Sequence, residues 1–180
     1  EDFEFYREKL VKYEEISDRI EYEIATFLNS VSTADISETT SMQIKSMYKI
    51  IGELESLGDS GEAISRMLSR RNNHNKSFTP ETIAHIEQMI DAIHHAYEVM
   101  INNLSQAHAG TLSNISNALQ TEEQINQLRN QLRESEIEDI EQNKTNYQTS
   151  VYYLDIVSEL EKMGDFMINI SQALERAFIK

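Results

Sequence analysis

The chain has 180 residues, enough for one domain or for two small bundles that share a core. With 39% hydrophobic residues, one proline and five glycines, the composition favours an all-α protein of long helices over a sheet protein. A formal charge of −15 argues against binding to nucleic acid, and the absence of cysteine excludes disulfides and thiolate chemistry.

Apolar residues at spacings of three and four predict five helices in chain order. The first ends near Ser30, and the second begins at the N-cap Ser37 and stops within a polar run, 70–77, that reads as a loop. The apolar stripe predicted for the first helix is Phe5, Leu10, Ile16, Ile20, Ile24, Phe27 and Leu28.

The last three predicted helices have clearer start and stop signals. Thr79 as N-cap with Pro80 at the first helical position opens the third, which Gly110 ends. The fourth is predicted over 112–140 and the fifth from about Asn146 to near the end of the chain. Short links between long helices predict antiparallel neighbours in a bundle.

The sequence Glu-Leu-Glu-x-x-Gly-Asp occurs twice, at 53–59 and at 159–165. In each copy a glutamate lies four residues before an aspartate, Glu55 before Asp59 and Glu161 before Asp165, so one helix face carries both carboxylates. Two like charges placed in this way repel each other unless a cation lies between them. The duplication therefore predicts two related acidic sites.

Aligning the copies pairs the first two helices with the last two, and the third helix then leads the second pair. The first pair has no such leading helix, so we expect a longer parent protein of six helices in two bundles of three. The predicted repeats are 1–78, which has two helices, and 79–180, which has three.

The two motifs, 54–59 and 160–165, resemble the Leu-Glu-Arg-Ile-Gly-Asp signature of PhoU-like proteins, with Ser56 and Lys162 in place of its arginine. The acidic stretch 13–24 resembles the helix that precedes the signature. The segments 25–28 and 35–38 are most similar to the PhoU-like domain at the C-terminus of sodium-dependent phosphate cotransporters. The resemblance covers nearly the whole chain.

The resemblance implies a PhoU-like antiparallel bundle that regulates phosphate uptake at the cytoplasmic face of the inner membrane and is not an enzyme. The partners it implies are the membrane domain of the transporter in cis, or a phosphate transporter in trans, together with a sensor kinase or a second copy of the chain. No organic cofactor is expected.

The resemblance also implies metal ligands. Glu55 and Asp59 match the Glu-x-x-x-Asp metal motif of the family, Glu161 and Asp165 form its second copy, and Glu14 and Asp18 match acidic positions of the partner helix. Carboxylates suit Mg²⁺, Mn²⁺ and iron, and zinc also accepts them. Asn126 falls where the second copy should have an acid, so the second site is expected to be weaker or empty.

Other interpretations stay open at this stage. An acid pair on one helix is commonly a solvated face, and Gly58 and Gly164 are explained by close helix packing or by backbone access beside the acids. The functional alternatives are a free-standing PhoU-type adaptor, a carboxylate-bridged metal oxidase and a helical oligomerisation module. Asp91, His94 and Glu98 share a helix face, but a surface histidine pair, His94 with His95, explains them more simply.

Overall fold

The computed structural model describes residues 2–179, and the chain folds there into five long helices without strands. These are α1 (Asp2–Ser32), α2 (Glu38–Asn73), α3 (Pro80–Ala109), α4 (Ser116–Glu141) and α5 (Tyr147–Phe178). The predicted all-α bundle of five long helices is confirmed.

Three helices begin where local sequence signals predict. The side chains of Ser37, Thr79 and Asn146 accept hydrogen bonds from the backbone N–H groups of the first turns of α2, α3 and α5. Pro80 occupies the first helical position of α3, where its missing N–H costs nothing. These caps satisfy N–H groups that a helix leaves without partners.

Three helices end at a residue in the left-handed conformation. Gly110 has φ 69°, Asn75 φ 51° and Asn143 φ 55°. Beyond each of them, a backbone N–H bonds to a carbonyl five residues earlier, as from Lys76 to Arg71 at 3.1 Å. Glycine and asparagine tolerate this conformation best, which explains their use as stop residues.

Two predicted boundaries were wrong. The run 70–77 is not all loop, because Arg70 and Arg71 belong to the last turn of α2, where positive charge is favourable at the negative end of the helix dipole. The fourth helix begins at Ser116 instead of residue 112. Leu112 and Ile115, although apolar and buried, lie in the non-helical link before it.

The two motif-bearing helices, α2 and α5, pack against each other at the centre of the fold. Within residues 2–179, α3 and α4 pack on α5 and on each other, whereas α1 packs on α2 alone. The main core runs through α2, α3, α4 and α5 and includes fully buried Tyr153, Met89 and Ile170. A small second core of Leu28, Ile44 and Ile51 holds the C-terminal half of α1.

The apolar residues predicted for α1 lie along one face of the helix, but most of them are exposed to solvent. Leu28 is 4% exposed, whereas Phe27 is 65% and Phe5 53% exposed. Periodicity identified the apolar face, but within the described residues only α2 is available to cover it. The N-terminal half of α1 is therefore held less firmly than the helices around α5.

No helix within residues 2–179 is both long enough and apolar enough to cross a membrane.

Candidate acidic sites

Each residue of the repeated motif faces a different neighbour. We refer to α1 with α2 as the first copy and to α4 with α5 as the second copy. Leu54 and Leu160 point into the core, while the glutamates that precede them, Glu53 and Glu159, reach across the interface between α2 and α5. The helical period thus separates a packing role from the acid pair, which faces α1 or α4.

The first glutamate of each motif accepts a hydrogen bond from the other copy across the interface between α2 and α5. The hydroxyl of Ser60 on α2 donates to Glu159 Oε1 at 2.7 Å, and Asn169 on α5 donates through Nδ2 to Glu53 Oε2 at 3.1 Å. Lys162 and Lys49 form ion pairs with the same two carboxylates. These hydrogen bonds to charged groups stabilise the α2–α5 interface more than neutral ones would.

The motif glycines mark where each acidic helix approaches its partner. A Cβ atom at Gly58 would lie 3.5 Å from Cβ of Ser17 on α1, which is ordinary contact. A Cβ atom at Gly164 would lie 3.0 Å from Cδ1 of Ile125 on α4, which is tighter than normal packing allows. Close packing therefore explains Gly164, and the pair of contacts aligns residue 17 with residue 125.

The first acidic site lies between α1 and α2. Carboxylate oxygens of Glu14 and Asp18 on α1 and of Asp59 on α2 lie within 4.8 Å of one another. Partial burial raises the pKa of Glu55 on α2, and the nearby carboxylates of Asp59 and Asp18 raise it further. Burial and neighbouring carboxylates also raise the pKa of Glu14. Every charged group responsible for these shifts is negative, so the site favours a cation.

The second acidic site is built differently. Glu161 and Asp165 on α5 face α4, where Arg129 Nη2 lies 3.4 Å from Glu161 Oε1. Burial raises the pKa of both acids, and Asp165 raises that of Glu161 further. The positive charge of Arg129 lowers the pKa of both, and Arg133 also lowers that of Glu161. Asn126 donates through Nδ2 to Glu122 Oε1 at 2.5 Å. An arginine therefore lies among the acids of this copy.

The donor set of the first acidic site fits a hard divalent or trivalent cation. Within residues 2–179, Glu14, Asp18 and Asp59 are the one group of three acidic, histidine or cysteine side chains that is close enough to share an ion. Oxygen-only donors suit Mg²⁺ and Mn²⁺, and iron and zinc also accept carboxylates. Glu55 adds a fourth carboxylate beside this group. His94 and His95 are exposed on α3, as the surface interpretation predicts.

Sequence reasoning missed the residues that act between helices. The sequence contains a weak indication of a role for Ser60, because this residue follows the motif directly. It contains a similar indication for Glu53 and Glu159, because both copies of the motif contain this glutamate. It contains none for Arg129. An ion pair between α4 and α5 depends on how the two helices are aligned, and sequence spacing does not give that alignment.

The fold and its two acid pairs define a duplicated, acidic, all-α bundle. Residues 86–174, which run from α3 through most of α5, match the family model described as the PhoU domain. This part of the chain is therefore PhoU-like, and the match suggests a regulatory role related to phosphate transport. Comparisons with curated proteins and with solved structures gave no match.

Proposed function

We propose that this chain is the cytoplasmic regulatory domain of a sodium-dependent phosphate cotransporter and that it regulates phosphate uptake at the inner membrane. The PhoU match over residues 86–174 supports the regulatory role related to phosphate transport, and the resemblance of segments 25–28 and 35–38 to the cotransporter domain motivates the rest. The repeated motif extends it to the first copy, which lies outside the matched segment but has the same arrangement of acids and glycine.

The first acidic site is the proposed point of control. Glu14 and Asp18 belong to α1 and Asp59 to α2, so their repulsion pushes the two helices apart when no cation is bound. The small core at Leu28 holds only the C-terminal half of α1. A cation held by these carboxylates would therefore stiffen the N-terminal half of α1 against α2.

The uncovered face of the first copy is the proposed partner surface. Ile20 and Ile24 of α1, together with Ile51 and Leu54 of α2, line a groove, and Tyr97 of α3 lies at its edge. In the second copy, α3 packs on the corresponding helices. This relation supports a helix of the transporter, or of another partner such as a sensor kinase, as the occupant of the groove.

The functional test is phosphate uptake by cells that express the natural full-length protein. The double variant Glu55→Ala with Asp59→Ala should change both metal content and the response of uptake to phosphate supply. Glu123→Ala, on the exposed face of α4, is the matched control and should behave as wild type. Unchanged metal content and unchanged regulation in the double variant would refute the proposal.

A second candidate function, a free-standing PhoU-type adaptor, rests on the same family match. The natural reading frame distinguishes it from the cotransporter domain. Spanning segments encoded upstream in the same reading frame would support the cotransporter domain. A reading frame that contains only PhoU-like helices would support the adaptor, which would then bind a phosphate transporter in trans.

A further inference from the structure

We infer that Arg129 is a built-in cation among the acids of the second copy and that this residue keeps the second copy from binding metal. The inference deepens the proposed metal site of the first copy.

The glycine contacts give the alignment of the two copies. Gly58 meets Ser17 and Gly164 meets Ile125, so α1 and α4 are aligned with an offset of 108 residues (125 − 17). The residue four positions after each contact is Glu21 in α1 and Arg129 in α4. A negative side chain in one copy thus corresponds to a positive one in the other.

The same alignment pairs the remaining residues of the two sites. Glu14 corresponds to Glu122, and Asp18 corresponds to Asn126. Relative to the first copy, the second has therefore replaced one acid by a neutral amide and another by a guanidinium. The amide is itself engaged, because Asn126 donates to Glu122.

Arg129 is placed inside the second site and not at its rim. Its side chain is 24% exposed and that of its partner Glu161 is 18% exposed. Within the described part of the chain, its buried Nε has no hydrogen-bond partner. Burying a guanidinium is costly unless acids surround it, and Glu161 and Asp165 supply that compensation.

A guanidinium at this position excludes a metal ion for two reasons. The guanidinium carries a positive charge, so it repels a divalent cation in a partly buried site where screening is weak. It also occupies one oxygen of Glu161 that a metal would need. The acids of the second copy are therefore partly balanced by a positive charge without a metal, whereas the first acidic site depends on an external cation.

The test counts Mn²⁺ ions bound by the full chain, using the loss of the electron paramagnetic resonance signal of free Mn²⁺. Wild type should bind one ion, which Asp59→Asn abolishes. The double variant Asn126→Asp with Arg129→Glu, which gives α4 the two acids that α1 carries at positions 18 and 21, should bind one ion more. Adding Asp165→Asn to that double variant should remove the additional ion and leave the other.

A reciprocal variant tests Glu21, the position on α1 that corresponds to Arg129. Because Glu21 is half-buried on the surface of α1, its substitution should disturb folding little. Glu21→Arg should weaken Mn²⁺ binding at the first copy at least about tenfold, whereas Glu21→Gln, which removes the charge without adding a guanidinium, should weaken it much less. Circular dichroism checks that each variant is folded.

The outcomes separate this inference from the proposed function. A folded Asn126→Asp, Arg129→Glu variant that binds no more Mn²⁺ than wild type would overturn the role of Arg129, even if the first copy binds its ion. If wild type binds none but this variant binds one ion that Asp165→Asn removes, the role of Arg129 stands and the proposed metal site of the first copy fails. Should the variant not fold, equal binding by Glu21→Arg and Glu21→Gln would overturn the inference.

Discussion

Alanine at the two motif glycines should have opposite effects on stability. Gly58→Ala places its methyl group 3.5 Å from Ser17, which is ordinary contact, so the higher helix propensity of alanine should raise the free energy of unfolding by about 0.5–1 kcal/mol. Gly164→Ala places its methyl group 3.0 Å from Cδ1 of Ile125, which is 2% exposed and has little room to move. Overpacking of this kind costs about 1–3 kcal/mol.

The gain in propensity offsets part of this cost, so Gly164→Ala should lower the free energy of unfolding by up to about 2 kcal/mol. Urea denaturation followed by circular dichroism measures both variants, with an unchanged m value showing that the unfolded states are comparable. Ile125→Val removes the clashing Cδ1 atom, so Gly164→Ala should cost less in that background than in wild type. An equal stabilisation by both glycine substitutions would refute the proposed close approach of α4 and α5.

Two further predictions concern the α2–α5 interface and the first acidic site. Ser60→Ala removes a buried hydrogen bond to the carboxylate of Glu159 and should lower the free energy of unfolding, measured by urea denaturation, by about 1.5–3 kcal/mol. The exposed control Ser105→Ala should change it by less than about 0.5 kcal/mol. Equal effects would argue against a stabilising hydrogen bond between Ser60 and Glu159. Burial and Asp59 raise the pKa of Glu55 in the folded protein above its ordinary value of 4.5. The contribution of Glu55 to the free energy of unfolding is therefore fully present below pH 4.5 and is lost as the pH rises through the higher pKa of the folded state. Asp59→Asn should therefore stabilise the metal-free protein more at about pH 7 than at about pH 4, and a stability difference independent of pH would contradict this.

The elements that the sequence predicts well are those specified by neighbouring residues. The starts at Ser37, Thr79 and Asn146 follow from side chains that bond within their own first turn. The end at Gly110 follows from the freedom of glycine at positive φ. Asn75 and Asn143 act in the same way, and the left-handed conformation of Asn75 explains why α2 continues past Arg70 to Asn73.

The elements that the sequence predicts poorly depend on which helices meet. The period of α1 gives an apolar face but not its neighbours, so Phe27 was expected in the core and is exposed. The acid pairs were visible because each lies within one helix. Arg129 belongs to another helix, and its place beside Glu161 depends on the alignment of α4 and α5, which the sequence does not give.

The most direct test of the account is elemental analysis of protein purified without an affinity metal, combined with melting curves before and after chelation. For wild type we predict nearly one bound metal ion per chain, whose removal lowers the melting temperature. Asp59→Asn should carry no metal and show no response to chelation, whereas Asp165→Asn, in the second copy, should respond as wild type does. Wild-type protein without metal, and with the same melting temperature in the presence and absence of chelator, would contradict the claim that the first acidic site holds a cation.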